Sequence, residues 1–215
     1  MDFVVDELHK SYGKKKVLDG VTFYAGAGEA VGILGKNGCG KSTLLSAIAS
    51  VTPFDGGKVI LSGADVKKSV GYVPQGTPLF PELSTLDNLR MWYKREALKA
   101  SLENGVCASL GVTDYLNVPV RKMSGGMKKR LSICCAMAND PLLLLLDEPT
   151  AALDIPCKEI IFDYLNECKK QGKIIVFTTH SADELNFCDR LYILKDGKAC
   201  EFKYNGNVKE LSESL

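Results

Sequence analysis

Gly35-Lys36-Asn37-Gly38-Cys39-Gly40-Lys41-Ser42 is the stretch that decides the fold. It matches the spacing Gly-x4-Gly-Lys-Ser/Thr in full. A phosphate group must be met by many backbone N–H groups at once, and side chains would obstruct that approach. Gly35, Gly38 and Gly40 allow the tight turn this needs. A helix that starts immediately after the loop points its positive end at the anion. Lys41 offers a charge to the β- and γ-phosphates, and Ser42 a hydroxyl to Mg²⁺. Lys36, Asn37, Cys39 and Thr43 complete the expected nucleotide-binding positions around this loop. A bulky adduct on Cys39 would fill space beside the phosphates.

Working outward, residues 30–34 read as a strand that feeds the loop, and residues 41–49 as the helix that leaves it. Short β-like runs lie at 3–5, 21–24, 59–61 and 70–73. Continuous apolar runs lie at 142–146, 174–177 and 191–194, as suits strands buried on both faces of a parallel sheet. Helical patterns fall at 85–99, 125–137, 156–170 and 182–187. Strand and helix alternate, so the predicted class is α/β, a phosphate-loop NTPase with a mostly parallel core sheet. Asp196-Gly197 predicts a hairpin between residues 191–195 and 198–202. Residues from about 76 to 137 read as mainly helical.

The most apolar run is followed directly by Asp147-Glu148-Pro149-Thr150. Acids at the carboxyl end of a buried strand stand where open α/β sheets bind ligands. Asp147 is suited to hold hydrated Mg²⁺, and Glu148 to polarise water for attack on a γ-phosphate. Alone, the pair reads as readily as a cap on the next turn; the phosphate loop tips the reading. A second acid beside the metal acid favours hydrolysis over transfer to another acceptor.

Ser124-Gly125-Gly126 opens the helix at 125–137 and by itself is an ordinary helix start. The order of motifs is more telling. The phosphate loop, Gln75, Met123-Ser124-Gly125-Gly126-Met127, Asp147-Glu148, Leu153-Asp154 and His180 follow one another as in the ATP-binding cassette family, which the chain resembles over nearly its whole length. That resemblance implies one ABC ATPase domain over residues 1–215. It also implies a small antiparallel β subdomain and a helical subdomain, about 76–137, inserted in a RecA-like core. It implies that Tyr12 stacks on adenine, that Gln75 contacts Mg²⁺ and senses a membrane partner, and that His180 contacts the γ-phosphate. Asp154 resembles the residue that joins two cassettes. Such cassettes close head to tail, so that Ser124, Gly125 and Gly126 of one meet the γ-phosphate held by the other's loop. The implied cofactors are ATP and Mg²⁺. The implied partners are a second cassette and an integral membrane permease, which would hold the chain at the cytoplasmic face of the membrane.

The chain departs from the family's common Leu-Ser-Gly-Gly-Gln signature at Met123 and Met127. With Lys128-Lys129-Arg130 following, this version resembles cassettes of drug, lipid or polysaccharide exporters more than importers. Its end soon after the hairpin fits, since many sugar-importer cassettes carry a further domain. In the helical region Phe80, Leu86, Leu89, Trp92 and Tyr93 are expected to offer the permease its docking groove.

Composition narrows the alternatives. Formal net charge is +1, from 27 basic and 26 acidic residues, which gives no electrostatic reason to expect nucleic acid. That weighs against a soluble cassette working on DNA, RNA or the ribosome. A phosphate-loop kinase is opposed by Glu148 and the Ser124 motif. Eight cysteines without a Cys-x-x-Cys pair, and two histidines, argue against a zinc site. The first ten residues carry no apolar leader, so a reducing cytosol is expected, with most cysteines serving as small buried hydrophobes.

Overall fold

The apolar runs become adjacent strands because their side chains alternate between two cores. The computed structural model describes residues 2–179, 182–206, 211 and 213. In it β3 (Ala30–Leu34), β6 (Leu143–Asp147) and β7 (Ile174–Thr178) have every residue buried. Leu144, Leu146, Ile175 and Phe177 face one core, while Leu143, Leu145, Ile174 and Val176 face the other. That is the period-2 alternation of a strand covered on both sides.

With β5 (Val70–Val73), β8 (Arg190–Lys195) and β9 (Lys198–Phe202) they form a six-stranded sheet of order β5-β6-β7-β3-β8-β9. All pairings are parallel except the β8–β9 hairpin, which turns at Asp196-Gly197 as its sequence predicts. A separate antiparallel sheet of order β2-β1-β4 comprises β1 (Asp2–Tyr12), β2 (Lys15–Gly26) and β4 (Gly56–Leu61). Its Phe3, Val5, Val21 and Phe23 join the core around α1 (Lys41–Ile48), on one side of the large sheet. α6 (Gly125–Ala136) and α7 (Ile155–Lys170) contribute to the core on the other side. Two one-turn helices, α2 (Val66–Ser69) and α8 (Ala182–Leu185), lie outside the segment between β5 and β6.

Between β5 and β6 the chain is helical, but one expectation fails. Residues 85–99 do not make a single helix: α3 (Thr85–Arg90) stops, and α4 (Arg95–Glu103) starts after the extended residue Lys94. Leu89, Tyr93 and Leu98 all belong to one core. In an unbroken helix the five residues from Tyr93 to Leu98 would turn the side chain about 140° off that face. The break re-aims α4, and the Tyr93 hydroxyl, donating to Cys134 O at 2.8 Å, fixes its start. α5 (Val106–Ser109) follows, and two 3₁₀ turns lead to α6. The eight cysteines are free thiols; Cys107, Cys134, Cys135, Cys157 and Cys168 are buried.

Candidate functional site

The strand order brings the carboxyl ends of β5, β6, β7 and β3 to one edge, and predicted site residues follow those of β5, β6 and β3. From β3 comes the glycine loop. A Cβ on Gly35 would lie 2.6 Å from Leu194 O, and one on Gly40 would lie 2.8 Å from Val17 Cγ1. Side chains are therefore excluded at both positions, and the backbone is left as the lining. Gly40 is the N-cap of α1 with φ 114° and no side-chain cap. The first N–H groups of α1 have no intrahelical acceptor. The Lys41 ammonium, almost wholly buried, donates to Gly35 O at 2.8 Å and Lys36 O at 3.2 Å, and so spans the loop. These features fit a polyphosphate: converging donors, a positive helix end and a fixed cation.

β6 delivers Asp147, buried, whose carboxylate accepts from the Thr178 hydroxyl at 2.6 Å. The same hydroxyl accepts the Glu148 N–H at 2.9 Å. Glu148 has φ 49°, a left-handed conformation uncommon for a residue with a side chain and frequent at working sites. Its carboxylate accepts from Gln75 Nε2 at 2.9 Å. That bond leaves the Gln75 amide oxygen available to a hard cation, together with the Ser42 hydroxyl and Asp147. An all-oxygen set of this kind suits Mg²⁺. Burial first, and the Asp147 charge second, push the Tyr72 hydroxyl on β5 up to about 12.

A cavity of about 510 Å³ joins these groups, within the size of ordinary ligand pockets. Tyr12, Asn37, Gly38, Gly40, Lys41, Ser42, Thr43, Gln75 and Glu148 line it. Tyr12 stands half-exposed at the end of β1, with Lys10 Nζ 5.2 Å from its ring centroid. Cys39 is turned the other way. Its Sγ lies 2.6 Å from where a Gly35 Cβ would be, and it packs among apolar side chains of the core. The thiol is therefore not a wall of the cavity.

The Ser124 segment lies elsewhere. Ser124 N-caps α6, its Oγ accepting Met127 N–H at 3.2 Å. A Cβ on Gly126 would meet Cys157 Sγ at 2.7 Å, and one on Gly125 would sit 3.9 Å from Leu153 Cδ2. Asp154 is the N-cap of α7, accepting Cys157 N–H at 3.0 Å. Ser124, Gly125, Gly126 and Asp154 thus form a second group that does not line the cavity. His180 falls outside the described residues.

Sequence reasoning missed several residues. Lys15 and Val17 also line the cavity and reach it only because β2 folds back beside Tyr12. Thr178 ties Asp147 to the Glu148 backbone; its one signal is a polar residue closing an apolar run. Glu184 is buried and accepts from the hydroxyls of Thr150 and Thr179, so one carboxylate links the turn after Glu148 to the end of β7.

The chain is similar to known proteins in sequence and in fold. A sequence model described as ABC transporter matches residues 18–151. The chain is 34% identical to a linearmycin resistance ATP-binding protein of Bacillus subtilis, over 90% of this chain and 66% of that protein. It is 36% identical to a Nod factor export ATP-binding protein I of Rhizobium etli, over 90% and 65%. It therefore spans just under two thirds of the length of these relatives. Among solved structures, an ATP-binding subunit of an ABC transporter superposes with TM-score 0.88 at 25% identity, covering 100% of this chain and 99% of that one. A dimeric ATP-binding cassette in a post-hydrolysis state, bound to ADP and Pi, gives TM-score 0.80 at 30% identity, covering 95% and 100%.

Proposed function

The chain belongs to the ABC transporter family, and from that premise we propose that it hydrolyses ATP as one half of a cassette dimer that drives a membrane exporter. The observation that carries this reading is a division of the site. The phosphate loop, Gln75 and Glu148 share one cavity above Asp147, whereas the Ser124 segment of the same chain is not part of it. A second copy, or a related chain, is needed to bring a Ser124 segment to that cavity. Residues 1–215 then act as one ABC ATPase domain, with the region from about 76 to 137 as its helical subdomain.

The geometry of the cavity supports most of the residue roles, and the family resemblance supports the rest. The backbone of the loop holds the phosphates and Lys41 supplies their countercharge. Tyr12 offers a ring face to adenine. Ser42, Asp147 and Gln75 are the residues we assign to Mg²⁺, which when bound would offset charge on the phosphate oxygens. Glu148, held by Gln75 and by its backbone bond to Thr178, takes a proton from the attacking water. Asp154 and the Ser124 segment belong to the surface presented to the other cassette. His180 is assigned the γ-phosphate on the family resemblance.

An apolar cavity of about 580 Å³ opens beside β5 and α6, lined in part by Tyr72, Pro74, Pro78, Leu79, Trp92 and Cys135. We assign it to the permease. Phe80, Met91 and Trp92 are about half exposed, whereas Leu89 and Tyr93, expected in the same groove, are core residues. Export as the direction is supported by the Ser124-Gly125-Gly126-Met127 form of the signature and by the two relatives, one named for Nod factor export and one for linearmycin resistance. Among the described residues no helix is long and apolar enough to cross a membrane. Attachment to the cytoplasmic face is thus assigned to the permease.

Mixing two inactive chains tests the shared site. Gly125→Val fits the fold of one chain, since its Cβ has only an ordinary contact, but blocks approach to a phosphate. Lys41→Ala and Gly125→Val should each be inactive alone. Mixed equally, they should regain about a quarter of wild-type turnover, because half the dimers hold one intact site of two. No regain from two folded chains would place each site within a single chain. Co-purification with an integral membrane protein, lost in Trp92→Glu, tests the groove.

A further inference from the structure

Lys129 is a buried charge that the proposed mechanism leaves unused. The residue is 6% exposed. Among the described residues three buried side-chain nitrogens lack a hydrogen-bond partner: Lys129 Nζ, Arg130 Nε and Arg190 Nε. Both arginines are bonded through another nitrogen, Arg130 Nη1 to Leu110 O at 2.9 Å and Arg190 Nη1 to Glu201 at 2.7 Å. Lys129 is the one of the three whose whole charged group is without a bond. An ammonium in that position is strongly unfavourable unless other charges compensate it.

The topology shows where the compensation lies. A Cβ on Gly71 would lie 2.7 Å from Ala136 O, so the end of α6 rests against the start of β5. Leu142 N–H donates to Ser69 O at 2.9 Å, and the chain then enters β6 parallel to β5. α6 therefore runs against the strand direction, with its first turns toward their carboxyl ends. Seven residues back from Ala136 is about 10 Å of helix, the length of about three strand residues. Lys129 therefore comes level with Pro74 and Asp147, at the carboxyl ends of β5 and β6. Burial drives the ammonium's pKa down, and the two charges that act against this are Asp147 and Glu148.

We propose that Lys129 is a positioning residue for hydrolysis: its ammonium, enclosed between α6 and the β5–β6 edge, offsets the mutual repulsion of Asp147 and Glu148 and keeps both carboxylates set toward the nucleotide cavity. The inference rests on the assignment of Glu148 as the group that takes the proton from water. Two adjacent carboxylates repel, and a nearby cation relieves that repulsion. Lacking hydrogen bonds, Lys129 acts as a point charge, whose field is felt over several ångströms where water is excluded. The requirement is for charge, not for a bond geometry, so arginine should serve and an apolar side chain of similar length should not.

Lys129→Met removes the charge and keeps the length; Lys129→Arg keeps the charge. The expected result is a turnover about tenfold lower or less in Lys129→Met, with KM for ATP within about twofold. Its melting temperature should be unchanged or higher, because an unbonded buried charge has gone. Lys129→Arg should recover most of the turnover. Wild-type turnover in Lys129→Met overturns the proposal. So does a parallel loss of turnover and melting temperature that Lys129→Arg shares, since that is the mark of a packing role. Glu148→Gln in the same assay separates the two readings. If it remains active, the assignment of Glu148 has failed. If it is inactive while Lys129→Met is unimpaired, only the role of Lys129 has failed.

Discussion

Two helices in this chain begin at a glycine-rich turn, and their first turns are built for different work. α1 starts behind Gly40 with no side chain capping it, and Lys41 is held across the loop that precedes it. α6 starts behind Ser124, whose own hydroxyl takes one of the free N–H groups. The first turn keeps its donors for a ligand and encloses them beside a cation and two carboxylates. The second has spent part of its donor capacity on itself and lies beside Asp154, away from the cavity. A helix end is thus an anion seat of graded strength: a full one where nothing caps it, an auxiliary one where a serine does. The two are complementary halves if another chain supplies the second.

The contrast can be broken or sharpened by substitution. The largest effect is expected where chemistry is at stake. Glu148→Gln should slow hydrolysis by about 10²–10⁴-fold while ATP binding persists. In size-exclusion with ATP and Mg²⁺ this variant should shift from monomer to dimer; an active or stubbornly monomeric Glu148→Gln would separate Glu148 from the role of general base. Next comes Lys41→Ala, which should weaken ATP binding by about 10–100-fold, the worth of a charge-assisted contact. A fluorescent ATP analogue would report it, and near wild-type affinity would remove the loop from the phosphates.

Smaller effects compare the glycines of the two turns. Gly35→Ala should cost about 1–3 kcal/mol in urea unfolding, because its new methyl meets the backbone oxygen of Leu194. Gly126→Ala should change stability by less than about 1 kcal/mol, since its methyl meets the movable end of Cys157. Equal costs would mean that the second turn is as tightly built as the first. Smallest is Ser124→Ala, expected to lose about 1 kcal/mol of stability as a lost N-cap. ATP affinity of the single chain should stay at wild type, and a fall in it would bring the Ser124 segment into the same chain's cavity.

What the sequence alone determined about this protein is what depends on neighbours along the chain. The spacing from Gly35 to Ser42 specifies a strand, a tight turn and a helix end, because each needs only local backbone freedom and one cation. The runs at 142–146 and 174–177 specify buried strands for the same reason: water is excluded from successive side chains whatever lies opposite. Asp196-Gly197 specifies its own turn. The helix expected at 85–99 failed because periodicity could not show that Tyr93 and Leu98 must face one core. The tertiary structure alone decided the rest of the site. Gln75 meets Glu148, and Thr178 meets Asp147, because β5, β6 and β7 lie side by side in parallel. Glu184 joins Thr150 to Thr179, and Lys129 is buried near two carboxylates, because helices return across the sheet to its carboxyl edge. Strand order is a competition among long-range pairings of similar apolar runs, and packing of the whole chain, not any local spacing, settles it.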